Sequence, residues 1–217
     1  LVEVIRTLVA SLFAPLSNRS LISDIEFSTA ISRVVSRFSS GDERIAEFRK
    51  LWEKAKVSLP DEAVTYSIAN ELGSELLKKS RYEEAKVFYF SALEGRRRVL
   101  GDVHKNTLTS MNNIGIILYK TKDYKGSLNY YQRAIRVQKK VMGRMHPMTL
   151  RAMNNMAITY QFGLRDVVKA EELYRQNLDC FEKSLGKQHA VTKKCVSILV
   201  HMLEIQGRDD DDVTLTS

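Results

Sequence analysis

Apolar residues recur along this chain at helical spacing, and the helical stretches come in pairs. Met111, Ile114, Gly115 and Leu118 fall at i, i+3, i+4 and i+7, which predicts one apolar helical face. Tyr124, Leu128, Tyr131, Ala134 and Ile135 predict a partner helix, with Lys122 and Asp123 in the short turn between. The same double pattern returns at Met153, Met156, Ala157 and Tyr160, then at Ala170, Leu173, Tyr174 and Leu178. It also stands upstream, at Ala69, Leu72, Gly73 and Leu76, then at Tyr82, Ala85, Tyr89, Ala92 and Leu93.

The pairs keep a fixed period. His104 and His146 are 42 positions apart, as are Asn112 and Asn154. His146 and His189 are 43 apart, which places one extra residue near Gly163-Leu164-Arg165-Asp166. A constant period in this range marks a stack of repeats, each burying its apolar face against the next. Gly73, Gly115 and Ala157 share one position of the repeat, and Ala85, Ser127 and Ala170 share another. Helices packed at about 8–10 Å leave no room for a large side chain at such crossings.

These residues resemble a tetratricopeptide (TPR) repeat, and more narrowly the 42-residue repeat of kinesin light chains. The second unit shows Leu100-Gly101, His104, Thr107, Asn112-Asn113 and Ile114-Gly115. The third shows Gly143, His146-Pro147, Thr149, Asn154-Asn155 and Met156-Ala157, and a fourth opening follows at Leu185-Gly186, His189 and Thr192. The resemblance covers about residues 61–207. Lys105 stands where the family has Pro, and Asn177 replaces a small residue. The fold it implies is all-α, a right-handed TPR superhelix (an α-solenoid) with helical caps at both ends.

The expected repeats span 61–100, 101–142 and 143–186, with a capping helix at 190–206. Residues 1–60 read as N-terminal helices forming a degenerate capping repeat. One helix is carried by Ile45, Phe48, Leu51, Trp52 and Ala55 and stopped by Pro60. Another is carried by Ile22, Ile25, Ala30, Ile31, Val34, Val35 and Phe38, and Leu1 to Phe13 gives a third. Residues 208–217, opening with Asp209 to Asp212, read as an acidic disordered tail.

Composition narrows the picture further. The 217 residues are 44% hydrophobic with only 3 Pro and 10 Gly, against an all-β or a disordered chain. No run of 18 apolar residues exists, so no membrane span is expected. Two cysteines make no disulfide scaffold and suit a reducing, cytoplasmic setting. The chain opens on Leu1 rather than Met, which leaves an organellar address open. The net charge of +8 favours acidic partners. Nucleic acid is not expected, because the basic residues do not interleave with a regular aromatic series. Arg96-Arg97-Arg98 reads as a solvated face.

Little in the sequence carries chemistry. His104, His146 and His189 each open a first helix about two helix spacings from the next, which suits capping and not a shared metal ion. No phosphate-cradling glycine loop, nucleophile elbow or HExxH is present. Cys180 and Cys195 lack a CxxC spacing. Neither enzyme activity nor a cofactor is expected.

The polar stripe left on each first helix points elsewhere. In the second unit it holds Thr109, Asn113, Ile116 and Lys120; in the third, Arg151, Asn155, Ile158 and Phe162. The first unit contributes Ser74 and Lys78, and Lys194 joins from the last helix. Asn70, Asn112 and Asn154 flank the stripe at equal offsets. The TPR resemblance implies that this stripe faces a peptide-binding groove. Asparagine amides match the N–H and C=O of an extended peptide, the apolar members offer pockets, and the cations favour acidic side chains. The expected function is a protein-binding adaptor for an acidic or mixed apolar-acidic peptide. The alternative is a structural subunit docked permanently in a larger assembly.

Overall fold

The computed structural model describes residues 18–207, with side chains from residue 25 onward. The sequence-predicted helix at residues 1–13 and the acidic tail lie outside the described residues. All regular structure among the described residues is helical. The chain divides into two compact units, Leu1–Gly101 and Asp102–Ser217.

In the first unit, α1 (Asn18–Arg37) and α2 (Gly41–Ser58) precede the pair α3 (Ala63–Lys78) and α4 (Tyr82–Leu100). The α1 stripe differs from the expected one. Phe27 and Val34 are buried, whereas Ile25 and Val35 are exposed. The aromatic ring decides which face turns inward, because it buries more apolar area than either aliphatic. The α2 stripe is as expected at Ile45, Phe48, Trp52 and Ala55, all buried. Arg96 is not solvated: it is buried and donates from Nη2 to Ser67 Oγ at 3.2 Å. Arg98 is tied to Asp61 and to the Tyr66 hydroxyl.

The second unit holds the pairs α5 (Lys105–Lys120) with α6 (Tyr124–Val141) and α7 (Pro147–Ile158) with α8 (Val167–Leu185), followed by α9 (Ala190–Ile205). Each first helix starts in the same way. His104, His146 and His189 sit at the N-cap, and Nδ1 accepts from the backbone N–H two residues on, at 3.1, 3.2 and 3.2 Å. That satisfies one of the donors every helix start leaves unpaired. Each second helix also stops in the same way. Gly101, Gly143 and Gly186 follow the ends of α4, α6 and α8 at φ of 82°, 95° and 83°, a region that favours glycine. The repeated Leu-Gly or Met-Gly of the sequence is therefore a helix stop.

The extra residue of the third repeat does not lengthen a loop. It is absorbed in a π-helical turn, Thr159–Leu164, that continues α7. The turn after each first helix has one left-handed residue: Ser80, Lys122 and Arg165. The residue after it donates back to the helix. Arg81 reaches the Leu76 carbonyl and Asp123 the Leu118 carbonyl, each five residues back. Asp166 instead reaches the Tyr160 carbonyl, six residues back. Both ends of the turn keep their roles, and the surplus residue lies between them.

Candidate functional site: grooves between successive first helices

Two cavities open in the second unit. The first, about 230 Å³, is lined by Ile116, Tyr119 and Lys120 of α5, Tyr131 of α6, and Asn155 and Ile158 of α7. The second, about 420 Å³, has Pro147, Leu150, Arg151 and Asn154 of α7 on one side. Val191, Lys194, Cys195 and Ile198 of α9 form the other, and Phe181 and Leu185 of α8 the floor. Each cavity thus lies between first helices of consecutive repeats, with a second helix beneath.

Seven residues of the expected stripe meet here. Ile116, Lys120, Asn155 and Ile158 share the smaller cavity; Arg151, Asn154 and Lys194 share the larger. The two cations of the larger cavity are exposed, so their charge stays at the rim above an apolar floor. Burial pushes the pKa of the Tyr131 phenol well above the ordinary value, while Ser127 and Asn155 pull it back. The tyrosine is therefore a neutral wall.

The other stripe residues are placed differently. Asn112 is buried at 1% exposure, and neither its Oδ1 nor its Nδ2 has a hydrogen-bond partner. The expectation that it touches a peptide is corrected: it faces the packed interior. Asn70 is likewise buried, and its amide donates to Glu71 Oε1 at 3.3 Å. Phe162 is exposed but lies in the π-helical turn and lines neither cavity. The wider coil there carries it off the stripe that begins at Arg151. Thr109 donates back to the Lys105 carbonyl at 2.9 Å, and Asn113 is half-buried. In the first unit Ser74 bonds the Asn70 carbonyl and accepts from the Tyr89 hydroxyl. Lys78 is paired with Glu75 at 2.6 Å.

The floor residues were missed by sequence reasoning, which looked only at first helices. A signal existed. Phe181 stands where Arg96 and Gln138 stand in the preceding repeats, so a polar position becomes apolar only in the third. Cys195, in the wall, donates from Sγ to the Tyr174 carbonyl at 3.7 Å, and burial pushes its thiol up to about 11. It stays protonated near neutral pH and serves as packing, not as a nucleophile. The larger cavity offers an apolar floor, a neutral amide and two rim cations. That arrangement can bind and orient a side chain with a nearby carboxylate.

Tetratricopeptide repeat models match residues 63–140 and 110–167, and a further tetratricopeptide repeat model matches 149–190. The chain belongs to the tetratricopeptide repeat family. The TPR-like repeats of a Podosopora anserina kinesin light chain are similar at TM-score 0.72 and 16% identity, covering 88% of this chain and 90% of that one. BtubC (BKLC) from P. vanneervenii is similar at 0.67 and 17%, covering 88% and 85%. The apo form of RapI is similar at 0.70 and 16%, covering 84% of this chain and 64% of that one. No curated protein matches the chain. At these identities the likeness is one of fold: all-α TPR. TPR repeats generally act as non-catalytic scaffolds that bind proteins or peptides. Among the described residues, no helix of this TPR chain is long and apolar enough to cross a membrane.

Proposed function

We propose that the chain is a non-catalytic adaptor holding an extended segment of a partner protein in the grooves of its second unit. The observation that carries the reading is the larger cavity. Phe181, Leu185 and Ile198 offer an apolar seat, and Arg151 and Lys194 stand at its rim. An occupant that matches both features has an apolar residue beside Asp or Glu. Asn154 can bond its backbone, and the smaller cavity supplies a second seat between Ile116 and Ile158. Affinity would come from these few anchors. A reducing, cytoplasmic setting belongs to the same reading, supported by two free buried thiols, Cys180 and Cys195.

Selection from a displayed library of random peptides tests it. Enriched peptides are expected to pair an apolar residue with Asp or Glu. They should lose binding to the Arg151→Glu, Lys194→Glu double variant while its melting temperature stays near the parent's. Enrichment that survives the double reversal, or no enrichment at all, refutes the groove.

A further inference from the structure

The positive charge of this chain is not spread over it. Between Asp123 and Asp166 the sequence contains no Asp or Glu, and residues 124–165 carry eight Lys and Arg. The chain's 34 basic residues exceed its 26 acidic ones by the same eight. One repeat length therefore holds the whole excess, and the rest of the chain is balanced.

Five of those eight, Lys125, Arg133, Arg136, Lys139 and Lys140, lie on α6, four of them on its exposed face. On α6, Ser127, Leu128, Tyr131, Ala134, Ile135 and Gln138 are buried. Lys125, Asn129, Gln132, Arg136, Lys139 and Lys140 are exposed on the opposite side. From Lys125 to Lys140 the row runs for roughly 22 Å. None of its cations is ion-paired with a carboxylate among the described residues, and Arg144 continues the charge past the helix end. The other second helices are each within one charge of neutral. On α4, Glu83, Glu84 and Glu94 offset Lys86, Arg96, Arg97 and Arg98. On α8, Glu171, Glu172, Asp179 and Glu182 offset Lys169, Arg175 and Lys183.

Stability does not account for the row. Lys139 and Lys140, in the last turn, suit the helix dipole. Arg133 and Arg136 lie outside that turn, and like charges three and four residues apart destabilise a helix. An external partner removes this repulsion by supplying carboxylates.

We infer that the outer face of α6 is a docking surface for an acidic helix of another protein. This surface shares no residue with the groove cavities and does not rest on the groove reading. The cations and amides recur at three- and four-residue spacing, the spacing at which carboxylates on an acidic helix recur. Amides, not aromatics, stand between the cations. The nearby Tyr130 ring is already covered by the Arg133 guanidinium at 5.6 Å, so bases have no stacking platform. Charge alone would hold the row loosely at an anionic lipid surface, and firm insertion needs an apolar face as well. The apolar face of α6 is packed inward, and at its end only Val141 is exposed.

The test is direct binding by the full chain. The probe is a helical peptide of Glu and Ala with Glu at alternating three- and four-residue spacing. Its affinity should fall at least ~10-fold in the Arg136→Glu, Lys140→Glu variant and hold in the Arg151→Glu, Lys194→Glu variant. A matching Lys-Ala peptide should gain binding to the reversed α6 face. Circular dichroism confirms that each variant is folded. Equal binding of the Glu peptide to parent and α6 variant overturns the proposal. So does binding of a single-stranded oligonucleotide, or of phosphatidylserine vesicles, that matches or exceeds the peptide's at the same ionic strength.

Discussion

Gly115 and Tyr131 occupy one space: a Cβ on Gly115 would come within 2.5 Å of Tyr131 Cε1. Gly73 stands in the same relation to Tyr89, at 2.9 Å. The third repeat has Ala157 in the core with Tyr174 instead. A small residue on the first helix is what lets the tyrosine of the second lie flat across it.

Gly115→Leu should therefore overpack the α5–α6 crossing and cost about 1–3 kcal/mol. Thermal or denaturant unfolding measures this. A variant that melts with the parent contradicts the packing account.

The two asparagine classes should separate in one experiment. Asn155→Ala alters a groove wall and should weaken capture of a selected peptide with little loss of stability. Asn112→Leu removes two unsatisfied buried polar atoms. It should leave capture unchanged and be neutral or stabilising, since such atoms cost roughly 1–3 kcal/mol. Reduced capture in Asn112→Leu with unchanged melting would contradict its interior placement.

Lys122 holds a left-handed φ of 65° in the turn between α5 and α6. A non-glycine side chain in that region costs about 1–2 kcal/mol. Lys122→Gly should raise the melting temperature slightly. A drop larger than about 1 kcal/mol would show that the Lys122 side chain makes a contact of its own.

Burial raises the phenols of Tyr89 and Tyr174 to about 12 each, from an ordinary 10. A group raised on folding adds stability in full below its unfolded value, and loses it as pH climbs through the folded value. Stability should therefore fall between about pH 10 and 12. Phenolate absorbance should then rise with unfolding, not ahead of it. Tyr174→Phe should flatten part of that decline; an unchanged alkaline profile contradicts the assignment.

His146 Nδ1 caps α7 by accepting from Met148 N–H at 3.2 Å. His146→Ala should cost about 1 kcal/mol, and His146→Asp should restore most of it. Equal losses in both would mean that the ring matters for packing and not for the cap.

The helix pairs were legible because three signals agreed. Apolar spacing, the recurrent His at helix starts and the recurrent Gly at helix stops all keep one period. The groove was half legible. First-helix residues such as Asn155 and Arg151 follow from the stripe, but Phe181 and Leu185 rise from beneath, on a helix the stripe does not include. Asn112 and Asn154 look identical in sequence. One is sealed and the other lines a cavity, because Gln138 becomes Phe181 one repeat later and the neighbouring helix differs. Phe162 lines neither cavity for a simpler reason: the stripe assumes 3.6 residues per turn through a segment that is wound wider.

That wider coil lets the third repeat accommodate a supernumerary amino acid without a longer connection. Its cost is confined to where a few side chains point, and the frame downstream survives. Arrays of this kind can thus tolerate a one-residue insertion inside a helix, and the shift from 42 to 43 is its trace in the sequence.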